Sequence, residues 1–396
     1  MQYKVQGLNI IFAKKSTLSD HGCHRNTQGG MYMRICIVGG GNIGTLLAGE
    51  AAAAGHDVTM YTSKPECWSN TIVVKDIQGA VIAKGNICSV TNDLSIALRN
   101  QDYICVTLPS IAQKSFAEKA EAFVVPGTRF VMIPGYGGTE FLMKAVLDQG
   151  AILIGFERVQ AISRLIRYGQ SVCMRGRKNE IQLASYPQCT EDEIKTIAND
   201  MEVLFHLPVK IMPNYLNITF TPSNPVLHTS RLYSMFKDYQ EGVYYPSHLP
   251  FYDGWTDFSS EVLFRLDDEV QLLCSTLNHL DLDGVKSLRL HYESPTISAM
   301  TYKLTHIDSF HGIMSPMKET DKGWIPDFNN RYFSCDFNYG LEILYQFAKI
   351  CHLKVPAMDT VMQWYRKVTH SNKTIVDIEE YGINSIDDIY IKYLSK

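Results

Sequence analysis

Met33-Arg34-Ile35-Cys36-Ile37-Val38-Gly39-Gly40-Gly41-Asn42-Ile43-Gly44 is the stretch on which the fold of this chain turns. Residues 34–38 form a short apolar run suited to a buried strand, and 45–54, rich in Leu and Ala, suits a helix. Between them Gly39-x-Gly41-x-x-Gly44 supplies a tight turn, a backbone approach without a side chain, and close packing of helix on strand. A helix amino terminus there offers free N–H groups and a positive dipole end to a pyrophosphate. Gly39, Gly41, Asn42, Ile43 and Gly44 are therefore the expected cradle of a dinucleotide. Gly55 follows the helix where a left-handed cap would stop it.

Outward from this loop, buried-type strands at 58–61, 102–108, 129–133 and 151–155 are separated by helix-length segments. Such alternation predicts an α/β fold, a Rossmann-like doubly wound parallel sheet with helices on both faces. Segments 71–76 and 80–84 read as a hairpin insertion, and runs at 171–174 and 181–185 are expected to extend the sheet. After Leu207-Pro208 few strand patterns remain. Helical spacing marks 260–277, 339–353, 356–368 and 384–394, so an all-α domain should follow. The predicted organisation is a poorly ordered extension over 1–32, a dinucleotide-binding domain over 33–210 and a helical substrate domain over 211–396.

The end of the second strand sets the cofactor type. A reader of NAD usually places a carboxylate about 20 residues past the loop, on the ribose hydroxyls. Here Thr62, Ser63 and Lys64 lie eighteen to twenty positions past Gly44, and no carboxylate occurs before Glu66. Two hydroxyls and a cation suit a 2′-phosphate, which favours NADP(H) and leaves NAD(H) open. Leu108 and Pro109 close another strand at the ligand-facing edge of such a sheet, and 134–139 reads as a loop over the cofactor.

Composition narrows the partners. A net charge of -4 disfavours nucleic acid and anionic membranes, and no apolar stretch approaches the ~20 residues of a membrane-spanning helix. The ten cysteines are scattered without a C-x-x-C pair, and several sit in apolar runs, which points to a reducing cytosol. His306, Asp308 and His311 lack a convincing further ligand, and Asp281-x-Asp283-Gly284 lacks the rest of a calcium loop, so no metal is predicted. The sequence leaves a homodimer open.

Two segments in the second half carry the chemistry. Asn224-Pro225-Val226-Leu227-His228 opens a helix, with Asn224 as a suitable amino-terminal cap and His228 one turn in. Arg331-Tyr332-Phe333-Ser334-Cys335-Asp336 reads as a loop before the next helix. Taken alone, a histidine among apolar neighbours is usually a core residue, and an Arg and Asp five apart in a loop are usually an ion pair or surface charges.

Together with the glycine loop and Tyr61-Thr62-Ser63-Lys64-Pro65, these segments resemble the octopine/nopaline-type opine dehydrogenases over about residues 33–366. Residues 224–233 are similar to the opening of that family's helical domain, and 331–341 to its R-Y-x-x-E-D-x-P-x-G-L segment. Cys335 and Asn338 depart from the pattern, standing where the family has Glu and Pro. The resemblance implies reductive joining of an amino acid to a 2-keto acid. It implies His228 as acid–base group and Asp336 as its orienting partner. Arg331 would clamp a substrate carboxylate, and Asn224 would contact substrate or cofactor. Two rivals are a 2-keto-acid reductase of the ketopantoate type, which typically employs a lysine, and a non-catalytic NADP(H)-binding redox sensor.

Overall fold

A computed structural model of the chain describes residues 32–394, so the expected extension lies, but for Tyr32, outside the described residues. Twelve strands precede the helical half: β1 (Arg34–Val38), β2 (Asp57–Tyr61), β3 (Thr71–Lys75), β4 (Val81–Asn86), β5 (Ser89–Thr91), β6 (Tyr103–Val106), β7 (Arg129–Met132), β8 (Ile152–Phe156), β9 (Ala161–Arg167), β10 (Ser171–Arg177), β11 (Ile181–Tyr186) and β12 (Val209–Ile211). Eight of them form one sheet in the order β12-β11-β8-β7-β6-β1-β2-β5. All neighbours run parallel except β8 and β11.

Alternate residues of β1 serve two cores. Ile35 and Ile37 face one side with Leu47, Ala48 and Ala51 of the Asn42–Ala53 helix and Ile197 and Met201 of the Glu191–Phe205 helix. Cys36 and Val38 face the other, with Phe116 and Ala117 of the Ser110–Ala120 helix. Covering on both faces explains why the strands read as continuous apolar runs. Burial pushes the Cys105 thiol up to about 12, so it behaves as a small apolar side chain.

The hairpin at β3 and β4 is present, but it belongs to a second, four-stranded sheet, β4-β3-β10-β9. Residues 171–177 therefore do not extend the main sheet as the sequence suggested. β10 pairs in parallel with β3 and antiparallel with β9, while β11 alone returns to the large sheet. Strand pattern marks a pleated surface but not which neighbour it joins.

Beyond β12 the chain is mostly helical, with one hairpin formed by β13 (Met317–Thr320) and β14 (Gly323–Pro326). The helices Asn224–Phe236, Asp257–Thr276 and Pro356–Thr369 pack on one another, and their apolar faces merge with the β1, β6 and β7 face into one core. The expected helix over 339–353 is divided into a π-helical turn, Phe337–Leu341, and the helix Glu342–Ile350.

Candidate active site

The glycine loop joins β1 to the Asn42–Ala53 helix. Gly39 takes φ +106°, and a Cβ on Gly44 would lie 1.9 Å from the Gly39 carbonyl oxygen, so turn and helix meet without room for a side chain. A Cβ on Gly41 would meet nothing within 4 Å. This open flank beside the helix terminus fits a pyrophosphate held by backbone N–H groups. Ile43 packs toward the core. The Asn42 side chain is committed elsewhere: its Oδ1 accepts the Leu165 N–H at 2.9 Å, pinning β9 to the loop.

At the end of β2 the three candidates separate. Thr62 is buried, and its hydroxyl lies 2.9 Å from Tyr168 Oη, in the turn between β9 and β10. Ser63 and Lys64 are exposed. Trp68 and Tyr168 flank Gly40, where a Cβ would come within 2.7 and 2.9 Å of them. The small sheet thus walls one side of the nucleotide cradle, which sequence reasoning missed.

A chain of contacts leads from the glycine loop to the helical half. Thr107 Oγ1 lies 3.0 Å from the Gly39 carbonyl. Leu108 abuts Gly39, and Pro109 caps the Ser110–Ala120 helix. Gly137, in the loop after β7, lies against Ser110 and the Tyr339 carbonyl. The Ile111 N–H bonds the Cys335 sulfur, next to Asp336. These contacts sit at the carboxyl ends of β6 and β7, the edge where open α/β sheets bind ligands.

His228 lies one turn into the Asn224–Phe236 helix, but Asn224 is not its cap. Ser223 occupies that position and Asn224 is the first helical residue. The side-chain preference for caps does not choose between two adjacent polar residues. The segment 331–336 is likewise not a loop. Asn330 accepts the Tyr332 N–H and starts a short helix, Arg331–Ser334, which widens at Asp336, whose carbonyl accepts the N–H of Leu341 five residues on. Gly340 in that wide turn abuts Pro225. This contact brings the two sequence segments together.

There His228 Nδ1 is 2.7 Å from Asp336 Oδ2, with both side chains largely buried. Nε2 is 3.0 Å from the hydroxyl of Tyr252, a residue the sequence did not single out. The Tyr332 ring lies 4.6 Å from the imidazole. Arg331 is exposed, its guanidinium over the Tyr332 ring, and among the described residues no carboxylate pairs with it. Tyr136, Tyr252 and Tyr332 all have phenols pushed above the usual range, chiefly by burial.

A second cation was also missed. Arg158, just past β8, donates through Nε to Ser223 Oγ at 3.3 Å and pairs with Glu157, while Nη1 bonds His291 Nδ1 at 3.2 Å. Its place after a strand at the ligand-facing edge was the available signal. Among the described residues no His, Cys, Asp and Glu cluster has the arrangement of a metal site.

The helical half matches the family model described as NAD/NADP octopine/nopaline dehydrogenase, alpha-helical domain, over residues 211–369. Residues 34–148 match that of the NAD-dependent glycerol-3-phosphate dehydrogenase N-terminus. The opine dehydrogenase of Haliotis discus hannai is 25% identical, covering 89% of this chain and 97% of that protein. The chain is thus similar to opine and octopine dehydrogenases over most of its length.

The octopine dehydrogenase of Pecten maximus is 23% identical over 91% of this chain and 99% of its own. A solved octopine dehydrogenase with NADH and L-arginine superposes with a TM-score of 0.77 at 20% identity, covering 92% of this chain and 98% of that one. A ketopantoate reductase from Ralstonia eutropha shares the fold at a TM-score of 0.57 and 12% identity, covering 85% of this chain and 99% of its own.

Proposed function

We propose that this chain is a member of the octopine/nopaline dehydrogenase family, an NAD(P)H-dependent oxidoreductase that condenses the amino group of an amino acid with a 2-keto acid and reduces the resulting imine. The observation that carries the reading is the His228–Asp336 pair, joined at 2.7 Å and linked by contacts to the glycine loop.

The donor nitrogen attacks the keto carbon, and the carbonyl oxygen must leave as water. His228 supplies the proton to that oxygen, because imidazole exchanges protons in the working pH range. Asp336 fixes the ring orientation and supports its charged form. Arg331, with no carboxylate partner among the described residues, takes a substrate carboxylate in a bidentate fork. Asn224, at the amino terminus of the helix that carries His228, supplies a polar contact to substrate or cofactor amide. Reduced nicotinamide, when bound, supplies the hydride for the C=N bond. Ser63 and Lys64 favour the phosphorylated cofactor.

The test is a matrix of amino acids and 2-keto acids with NADPH and NADH, read by absorbance and mass spectrometry. Rapid oxidation that requires both substrates and yields a new C–N bond supports the reading. Reduction of a keto acid alone to its hydroxy acid, as fast as with the best mixture, transfers the enzyme to the ketopantoate type. No turnover across the panel favours a cofactor-binding sensor.

A further inference from the structure

Both ring nitrogens of His228 are engaged by other side chains, and the second partner is tied to the histidine's own helix. Arg231, three residues along the same helix and buried, donates Nε to the Phe251 carbonyl at 2.8 Å and Nη2 to the carbonyls of Gly254 at 2.6 Å and Pro250 at 3.3 Å. The loop 250–254 is thereby tied to the helix that carries the histidine. Tyr252, at its centre, stacks on Phe310 with centroids 4.1 Å apart and lies parallel to Trp255 at 6.1 Å. These contacts hold its ring, and its hydroxyl is hydrogen-bonded to His228 Nε2.

The chemistry of the two partners fixes who donates. An ionised Asp336 can only accept, so Nδ1 carries a proton. In the neutral ring Nε2 is then an acceptor, and Tyr252 donates to it. If Nε2 gains a proton, the phenol oxygen must accept that N–H and its own hydrogen must turn away, in a buried place where its hydroxyl bonds no second acceptor among the described residues. An unmatched buried donor costs about 1–3 kcal/mol.

We propose that Tyr252 is a positioning residue that donates to Nε2 of the His228 ring, so that proton uptake by the dyad is coupled to arrival of a keto acid whose oxygens receive the released phenol hydrogen. The other ionisable groups about the pair are Asp336 on Nδ1, Tyr332 over the ring, Tyr136 and Tyr292 near Tyr252, and Arg331 and Arg164 beyond Tyr332. In the reductive direction the arriving substrate thus brings about the protonated form that its own chemistry requires.

The inference rests on His228 being the acid–base group, and its test does not require turnover. The titration of His228 is followed by ¹⁵N NMR on full-length, ¹⁵N-histidine-labelled protein, with the signal assigned through His228→Gln. Tyr252→Phe should move the His228 midpoint up by about one pH unit, the size of one lost hydrogen bond to the neutral ring. Replacement of Tyr252 by 3-fluorotyrosine keeps the shape, makes a stronger donor and should move it down. Pyruvate, added with NADPH to the wild type, should move it up, and by less in Tyr252→Phe. A midpoint unmoved by both replacements, or moved in the same direction by both, overturns the proposal. So does an equal response to pyruvate with and without the hydroxyl. Should Tyr252→Phe fail to fold, the fluorotyrosine variant decides. Turnover that survives His228→Ala would instead sink the catalytic reading itself, a separate outcome.

Discussion

Asp336 Oδ2 stands 2.7 Å from His228 Nδ1 although 108 positions separate the two residues. The bond fixes the tautomer, so the two substitutions should differ in character. His228→Ala should abolish turnover and leave cofactor affinity, measured by NADPH fluorescence titration, nearly unchanged. Asp336→Asn keeps the shape but loses the charge and the tautomer control, and should lower kcat by about 10²–10⁴-fold. Steady-state kinetics on the best substrate pair measures both. Retention of most activity in either variant would show a structural pair.

Cofactor selectivity should rest on Ser63 and Lys64 rather than on Thr62, because the Thr62 hydroxyl is buried against Tyr168. NADPH should bind more tightly than NADH. Lys64→Glu should weaken NADPH by about tenfold or more through repulsion of the 2′-phosphate and leave NADH little changed. Equal affinities in the unaltered protein would remove the basis for this.

Gly44 has no space for a methyl group. The Cβ of Gly44→Ala would meet the Gly39 carbonyl, in the turn itself, at 1.9 Å and Thr107 Oγ1, just past β6, at 2.8 Å. The helix must shift, at a cost of about 3 kcal/mol. Thermal unfolding should show a lower Tm, and cofactor should restore less of it than in the unaltered protein. An undiminished Tm with normal cofactor affinity would contradict the packing described for this loop.

Lys178 lies beside Glu157 and Arg158, and burial pushes its ammonium down to about 7. In the unfolded chain its value is the ordinary 10.5. Between these pH values the unfolded state binds more protons than the folded one, so this residue makes stability rise with pH across that window. The penalty of the buried charge is fully present below about 7. Lys178→Met should flatten the rise, with its largest relative gain near pH 6–7. Urea unfolding of both proteins from pH 6 to 10 measures it, and parallel curves would show that the lysine titrates as if exposed.

The local parts of this protein were legible in its sequence. β1, the glycine turn and the following helix are set by short-range sterics, and the buried strands announce themselves by unbroken apolar runs such as Ile35-Cys36-Ile37-Val38. The helical half followed from the 3.6-residue spacing of residues such as Leu263, Leu266, Val270 and Leu273. These features depend on neighbours a few positions away. The likeness of two segments to a known family then singled out His228 and Asp336, which spacing alone would have left as a core histidine and a surface carboxylate.

Partnership was decided only in three dimensions. Pattern could not say that β3 would join β10 rather than the main sheet, or that Asn42 would spend its side chain on Leu165. Tyr252 and Arg158 carried no motif. They matter because Arg231 draws the 250–254 loop onto the histidine helix and because Arg158 leaves the end of β8 at the terminus of that same helix. The wide turn at Asp336 has no signature beyond Gly340, yet it lets 331–341 close on Pro225 and bring a carboxylate to Nδ1. A hydrogen bond is won or lost over tenths of an ångström, and between residues so far apart in sequence only the packing of the elements that carry them sets that distance.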